Sequence, residues 1–178
     1  MANISPIGRV SYPNVFEPNQ YEQNEPKFQI TLLFDKNDPG LEEMKRLASN
    51  AVKEKWPNGA PKNLRNPFRS GDEKFEESGK GEEYKGKVFI RFQCAADRPP
   101  QIVGPDKRVI TAASGQFYPG CFARVSYTIY AYQKGGNCGV AFGLCNIQKT
   151  GEGDAFDNRT SAEHDFDVVA TQDGDFGF

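Results

Sequence analysis

The sequence predicts a mainly β protein with one helix, built as a small five-stranded antiparallel Greek-key barrel with long loops. Three observations lead there. Several short segments alternate apolar and polar residues with a period of two, one segment alone shifts to a period of three to four, and long stretches between them are polar and rich in Gly and Pro. Short strands of this kind close into a barrel or stack as a sandwich, and 178 residues supply the single core that either requires.

The first segment, GRVSYPNVF (8–16), has the β-branched and aromatic residues of a strand, with Pro13 marking a break or an edge. KFQITLLF (27–34) is a more regular strand, with Phe28, Ile30, Leu32 and Phe34 on one face and Lys27, Gln29 and Thr31 on the other. The period then changes. Asp38 is placed to cap, Pro39 suits a first helical position, and Leu41, Met44, Leu47, Ala48, Ala51 and Val52 recur at helical spacing up to Trp56. Residues 57–86 read as a long loop or insertion, because they are polar and punctuated by Pro and Gly. In KVFIRFQCAAD (87–97), Val88, Ile90, Phe92 and Cys94 oppose Phe89, Arg91 and Gln93. A hairpin is expected around Gly104 to Lys107, and a second at Lys134 to Asn137 between two long strands. In the first of these, Cys121, Ala123, Val125, Tyr127, Ile129 and Ala131 share a face opposite Phe122, Arg124, Ser126, Thr128, Tyr130 and Tyr132.

Composition removes several function classes. No apolar run approaches the roughly 20 residues that span a bilayer, and the first ten residues lack the basic start and apolar core of an export signal, so a non-exported protein is expected. Cys94, Cys121, Cys138 and Cys145 form no CxxC pair, which points to reduced, mostly buried thiols and to neither a metal site nor a cofactor. The single histidine, His164, lies in the acidic end of the chain, a poor place for the base of a nucleophilic hydrolase.

Charge is divided unevenly. Residues 1–150 hold 21 Lys and Arg against 16 Asp and Glu, whereas 151–178 hold Arg159 against eight acids; the balances of +5 and −7 make up the net −2. A basic body (1–150) joined to an acidic tail (151–178) suits a polyanionic ligand for which the tail can compete; an acidic tail can also serve solubility alone.

The face carrying Phe122, Arg124, Tyr130 and Tyr132, continued by Lys134, mixes cations with aromatics, and Phe89 and Arg91 repeat the mixture on another strand. Such a face suits single-stranded nucleic acid, since bases stack on rings while cations follow the phosphates, with little sequence preference. Aromatics also enrich ordinary sheets, where they pack on loops or subunits. Lys27, Arg65, Arg69, Lys85, Arg98, Lys107 and Arg108 are secondary candidates for the phosphate track.

The segments GRVSYPNVFEPN, KFQITLLFDKNDPGLEEMK and YPGCFARVSYTIYAYQ with GVAFGLCNIQKTGEGDAFDNR resemble a family of tailed-phage and prophage proteins akin to OB-fold single-stranded-DNA-binding proteins. The resemblance covers residues 5–160 and implies an OB-type barrel that coats DNA during phage replication, recombination or repair, in the cytoplasm of the infected bacterium. Duplex DNA, RNA and self-association stay open. It also implies that the closing DGDFGF, with Asp173, Asp175, Phe176 and Phe178, docks on phage or host replication and recombination proteins. The tail departs from the bacterial form, which has a denser aspartate run and a proline before its final phenylalanine.

Two other classes compete. Asp72, Glu83 and Lys85 could imitate a metal-dependent nuclease, although Asp72 falls in a glycine-rich segment rather than on a strand. A structural phage β domain would show a large apolar assembly face and have no use for an acidic tail.

Overall fold

The computed structural model describes residues 2–20, 22–78, 81–156 and 166–170. Five strands form a closed ring: β2 (Gly8–Asn19), β3 (Lys27–Asp35), β5 (Lys87–Ala95), β7 (Phe122–Lys134) and β8 (Asn137–Gly151). They pair in the order β7-β2-β3-β5-β8, and β8 closes back on β7. Three two-residue strands are appended: β1 (Asn3–Ile4) on β7, β4 (Arg69–Ser70) on β5 and β6 (Ile102–Val103) on β8. This is the OB-type barrel.

The ring is not wholly antiparallel. β5 and β8 run parallel where they close it, with Phe92 opposite Phe142 and Gln93 opposite Gly143, and β6 is also parallel to β8. Closure forces one parallel contact, because five strands in a ring cannot all run antiparallel to both neighbours, and it falls between β5 and β8.

Alternation along the strands becomes inside and outside. Ile30, Leu32, Ile90, Phe92, Val125, Tyr127, Phe142 and Ile147 fill one core, in which the rings of Phe92, Tyr127 and Phe142 lie 5.5–5.7 Å apart. Rings from three strands thus interlock across the parallel seam. Burial holds the Tyr127 hydroxyl protonated, with its pKa pushed up to about 12.

Helix α1 (Gly40–Lys55) follows β3, and Asp38 does cap its start by accepting the Gly40 N–H at 2.8 Å. Its buried residues Leu41, Met44 and Ala48 face β7 and β8, so the amphipathic stripe completes the barrel core. A second helix is the main departure from the sequence expectation. α2 (Gly71–Ser78) and a helical turn at Glu82–Tyr84 lie within the segment read as loop. Their short apolar content, Phe75 and Tyr84 among charges, leaves too weak a period to signal a helix. Tyr84 is the anchor. It is 1% exposed, packs on Leu33 and Phe89, and shares a 2.6 Å hydrogen bond with the Ser11 hydroxyl. The middle of the outer face of β2, β3 and β5 is therefore covered.

At the end of β8 a short strap returns to the barrel. Gly153 and Gly120 approach so closely that a Cβ on Gly153 would lie 2.2 Å from the Gly120 carbonyl oxygen. Arg9 donates from Nε to the Gly120 carbonyl and from Nη2 to that of Asp154, while its guanidinium lies 4.3 Å from the Phe156 ring. All four cysteines are free; Cys121 and Cys138 are buried.

Candidate nucleic-acid interface

The outer face of the parallel seam is concave because one strand supplies almost no side chains. Tyr132 pairs with Gly139, Tyr130 with Ala141 and Thr128 with Gly143. A Cβ on Gly139 would sit 2.9 Å from the Tyr132 hydroxyl and 3.1 Å from Arg65 Cβ, so glycine is what lets both residues lie across β8. The resulting groove has a volume of about 690 Å³. Tyr130, half exposed, and Tyr132 offer rings on one side, and Arg91 and Gln93 project from β5 on the other.

The wall comes from the segment expected to be a loop. The Arg65 N–H donates to the Cys138 carbonyl at 2.9 Å, Asn63 holds the Gly136 carbonyl, and Arg65 Nη2 reaches the Asn137 side chain at 2.8 Å. Residues 63–65 are thereby laid along β8, and Asn66, Pro67 and Arg69 continue the wall. Lys27, Arg65, Arg69, Arg91 and Lys134 all line the groove, and no Asp or Glu does among the described residues. Five cations around two tyrosines give a site that can stack planar rings and neutralise a polyanion.

The sequence candidates divide accordingly. Arg91, Tyr130, Tyr132 and Lys134 come together in the groove, joined by Lys27, Arg65 and Arg69 from the secondary set. Phe89 is also there, but as floor: it is 7% exposed, edge-on to Tyr84 at 5.3 Å, with the Arg69 guanidinium 5.6 Å from its ring. Phe122 and Arg124 lie elsewhere. Phe122 is 5.8 Å from the Arg9 guanidinium beside the strap, and Arg124 donates to Gln148 Oε1 at 2.9 Å at the rim of a separate cavity of about 300 Å³ that Lys107 also lines. Lys85 sits 4.1 Å from the Phe75 ring, and Arg98 and Arg108 are also outside the groove. Asp173, Asp175, Phe176 and Phe178 lie outside the described residues. The groove-forming glycines were the missed signal: Gly139, Ala141 and Gly143 alternate on one face and would have marked an open channel.

Asp72, the first of the nuclease candidates, is otherwise engaged. It pairs with Lys36 and accepts the Gly86 N–H at 2.9 Å, contacts that hold its carboxyl below the usual carboxylate range. It ties α2 to the turn that precedes β5. Among the described residues no three His, Cys, Asp or Glu side chains are grouped to hold a metal ion.

An OB-type barrel with a basic, tyrosine-bearing groove defines a single-stranded nucleic-acid-binding class of protein. The chain belongs to the family described as the Enterobacter phage Enc34 ssDNA-binding protein, whose model matches residues 4–177. Among solved structures it is similar to the single-stranded DNA-binding protein of bacteriophage Enc34 in complex with ssDNA, at 20% identity and a TM-score of 0.73, covering 86% of this chain and 88% of that one. It is also similar to gp2.5, a single-stranded DNA-binding protein encoded by bacteriophage T7, at 14% identity and a TM-score of 0.59, covering 90% and 97%. Protein p50 of Acyrthosiphon pisum secondary endosymbiont phage 1 is 28% identical over 152 residues, 83% of this chain and 82% of that one.

Proposed function

We infer that this protein binds single-stranded DNA without catalysis and coats it with little sequence preference, stacking bases on Tyr130 and Tyr132. Lys27, Arg65, Arg69, Arg91 and Lys134 follow the phosphates. The observation that carries this reading is the groove itself, where five cations and two tyrosines meet with no described acidic residue. Membership of a phage ssDNA-binding family supports it. Coating of this kind serves phage replication, recombination or repair in the host cytoplasm, and no described helix is long and apolar enough to cross a membrane.

The acidic tail, 151–178, competes with DNA and carries DGDFGF to replication or recombination proteins. Its point of departure supports the competition. Phe156, where the described part of the barrel ends, packs against the cluster of Leu33, Tyr84 and Phe89, and Phe89 and its neighbour Arg69 both line the groove, so the sequence that carries the remaining acids is joined to the barrel beside the basic face.

Anisotropy titration of labelled oligo-dT, with matched duplex as competitor, at two salt concentrations and with Mg²⁺, tests this. Five phosphate contacts give a slope of log affinity against log salt of about −3.5. Deleting residues 165–178 should tighten binding at low salt. Absence of binding rejects the reading, cleavage of the oligonucleotide reopens a nuclease, and unchanged affinity in the truncated protein rejects competition by the tail.

A further inference from the structure

The basic, aromatic character of the barrel surface continues past the groove. Ala141 faces Tyr130 on β7 and neighbours Arg91 across the parallel seam; Arg91 pairs with Thr31, and Thr31 with Ser11 on β2. The next residue is Tyr12. Its φ is +45°, a left-handed backbone that disfavours a bulky side chain, and Pro13 after it adds to the restriction. Burial does not offset this, because the residue is 59% exposed.

Beside it stands Lys74 of α2, whose ammonium lies 5.1 Å from the Tyr12 ring, 4.7 Å from Tyr84 and 5.1 Å from Phe89. Burial first, and then the charges of Arg91 and Arg69, hold its pKa below the usual lysine range, with Glu83 acting in the opposite sense. Arg69 and Arg91 are groove residues, so three cations share one field where the groove meets α2.

We propose that Tyr12 and Lys74 form a second subsite for the same DNA strand, with a base on the Tyr12 ring and a phosphate among Lys74, Arg69 and Arg91. This rests on the groove being the DNA site. A phosphate there gains charge-assisted hydrogen bonds from the cations, and the bulge of β2 between Ser11 and Asn14 turns the exposed Tyr12 ring toward such a ligand. The strand would pass over Lys74, above the Tyr84 cover, and not along the buried Thr31 and Ser11. Four inter-strand spacings separate the Tyr130 and Ser11 positions, about 19 Å, so a short oligonucleotide seated on Tyr130 and Tyr132 does not reach Tyr12.

Binding of oligo-dT of about 4 and about 16 nucleotides, the limits of common OB-fold site sizes, separates the subsites. Tyr12→Ala should weaken the longer ligand roughly five- to tenfold and leave the shorter unchanged, while Tyr12→Phe should restore it. Tyr12→Asn, which tolerates the left-handed backbone, serves if alanine disturbs the fold. Lys74→Gln should reduce the salt slope for the longer ligand by about 0.7. If the Tyr12 and Lys74 variants bind both lengths as the parent does while Tyr130→Ala with Tyr132→Ala loses both, the second subsite is overturned and the groove stands. If that double variant also binds normally, the groove reading itself fails.

Discussion

The two ends of β7 make an instructive pair. Along its 13 residues the same alternation puts a cation and aromatics on one outward face from Phe122 to Tyr132. At the Lys134 end the facing residues of β8 are Gly139, Ala141 and Gly143, and the rings border an open groove. At the Phe122 end Arg124 faces Gln148, whose amide takes its Nε–H, and Phe122 faces Gly151, next to the strap held by Arg9. A strand's composition says which side chains point outward; its neighbour decides whether they are available. Cross-strand pairs are thus the unit of function here as well as of sheet stability.

The largest effect expected from this contrast is on DNA affinity. Replacing Tyr130 and Tyr132 together with alanine should cost about 1–3 kcal/mol per ring. Replacing Phe122 and Arg124 together should change affinity by less than threefold, since neither borders the groove. Equal losses in the two double variants, measured by the same titration, would erase the distinction between the ends.

A smaller effect is expected from filling the channel without replacing a ligand-binding residue. Gly139→Val brings a Cβ against Tyr132 and Arg65 and should lower affinity roughly tenfold by displacing both, an estimate on the scale of one lost stacking contact. Gly151→Ala is the control at the other end of β8, where nothing lies within 4 Å of the added carbon. Binding of the Gly139→Val protein at parental strength would mean that the groove is wider in use than its glycines imply.

Much of this was legible in the sequence, for identifiable reasons. The β7–β8 hairpin, the α1 stripe and the outward placement of Arg91, Tyr130 and Tyr132 follow from periodicity, because each element has one buried face. What escaped has a different physical origin. Phe89 and Leu33 sit at outward positions yet are buried beneath Tyr84, a long-range contact that no local period encodes. Arg65 and Arg69 enter the site only because residues 63–65 bond to the β7–β8 hairpin, so a stretch with the composition of a loop acts as a wall. The parallel seam depends on the order in which strands close the ring, which alternation within a strand does not specify.

The smallest effect separates the two ends by pH. At the strap, Lys149 is nearly buried and pairs with Glu152 at 2.5 Å, while the Tyr118 hydroxyl donates to the other oxygen of that carboxylate. The Lys149 hydrogen bond, then that of Tyr118, hold Glu152 below its ordinary value of 4.5. A carboxyl depressed in the folded state contributes stability above its unfolded pKa and loses it as pH falls through the folded one. The strap should therefore loosen below about pH 4.5, leaving Lys149 to the Gln116 carbonyl. Among the described residues the groove wall has no such carboxylate: Arg65 is held by backbone and an amide. Hydrogen-exchange protection of the Phe156 amide, bonded to the Pro119 carbonyl, should fall in mild acid before that of the Arg65 amide, bonded to Cys138. Loss of both together would show that the strap and the groove wall open as one unit, and that the two ends of β7 differ in chemistry but not in stability.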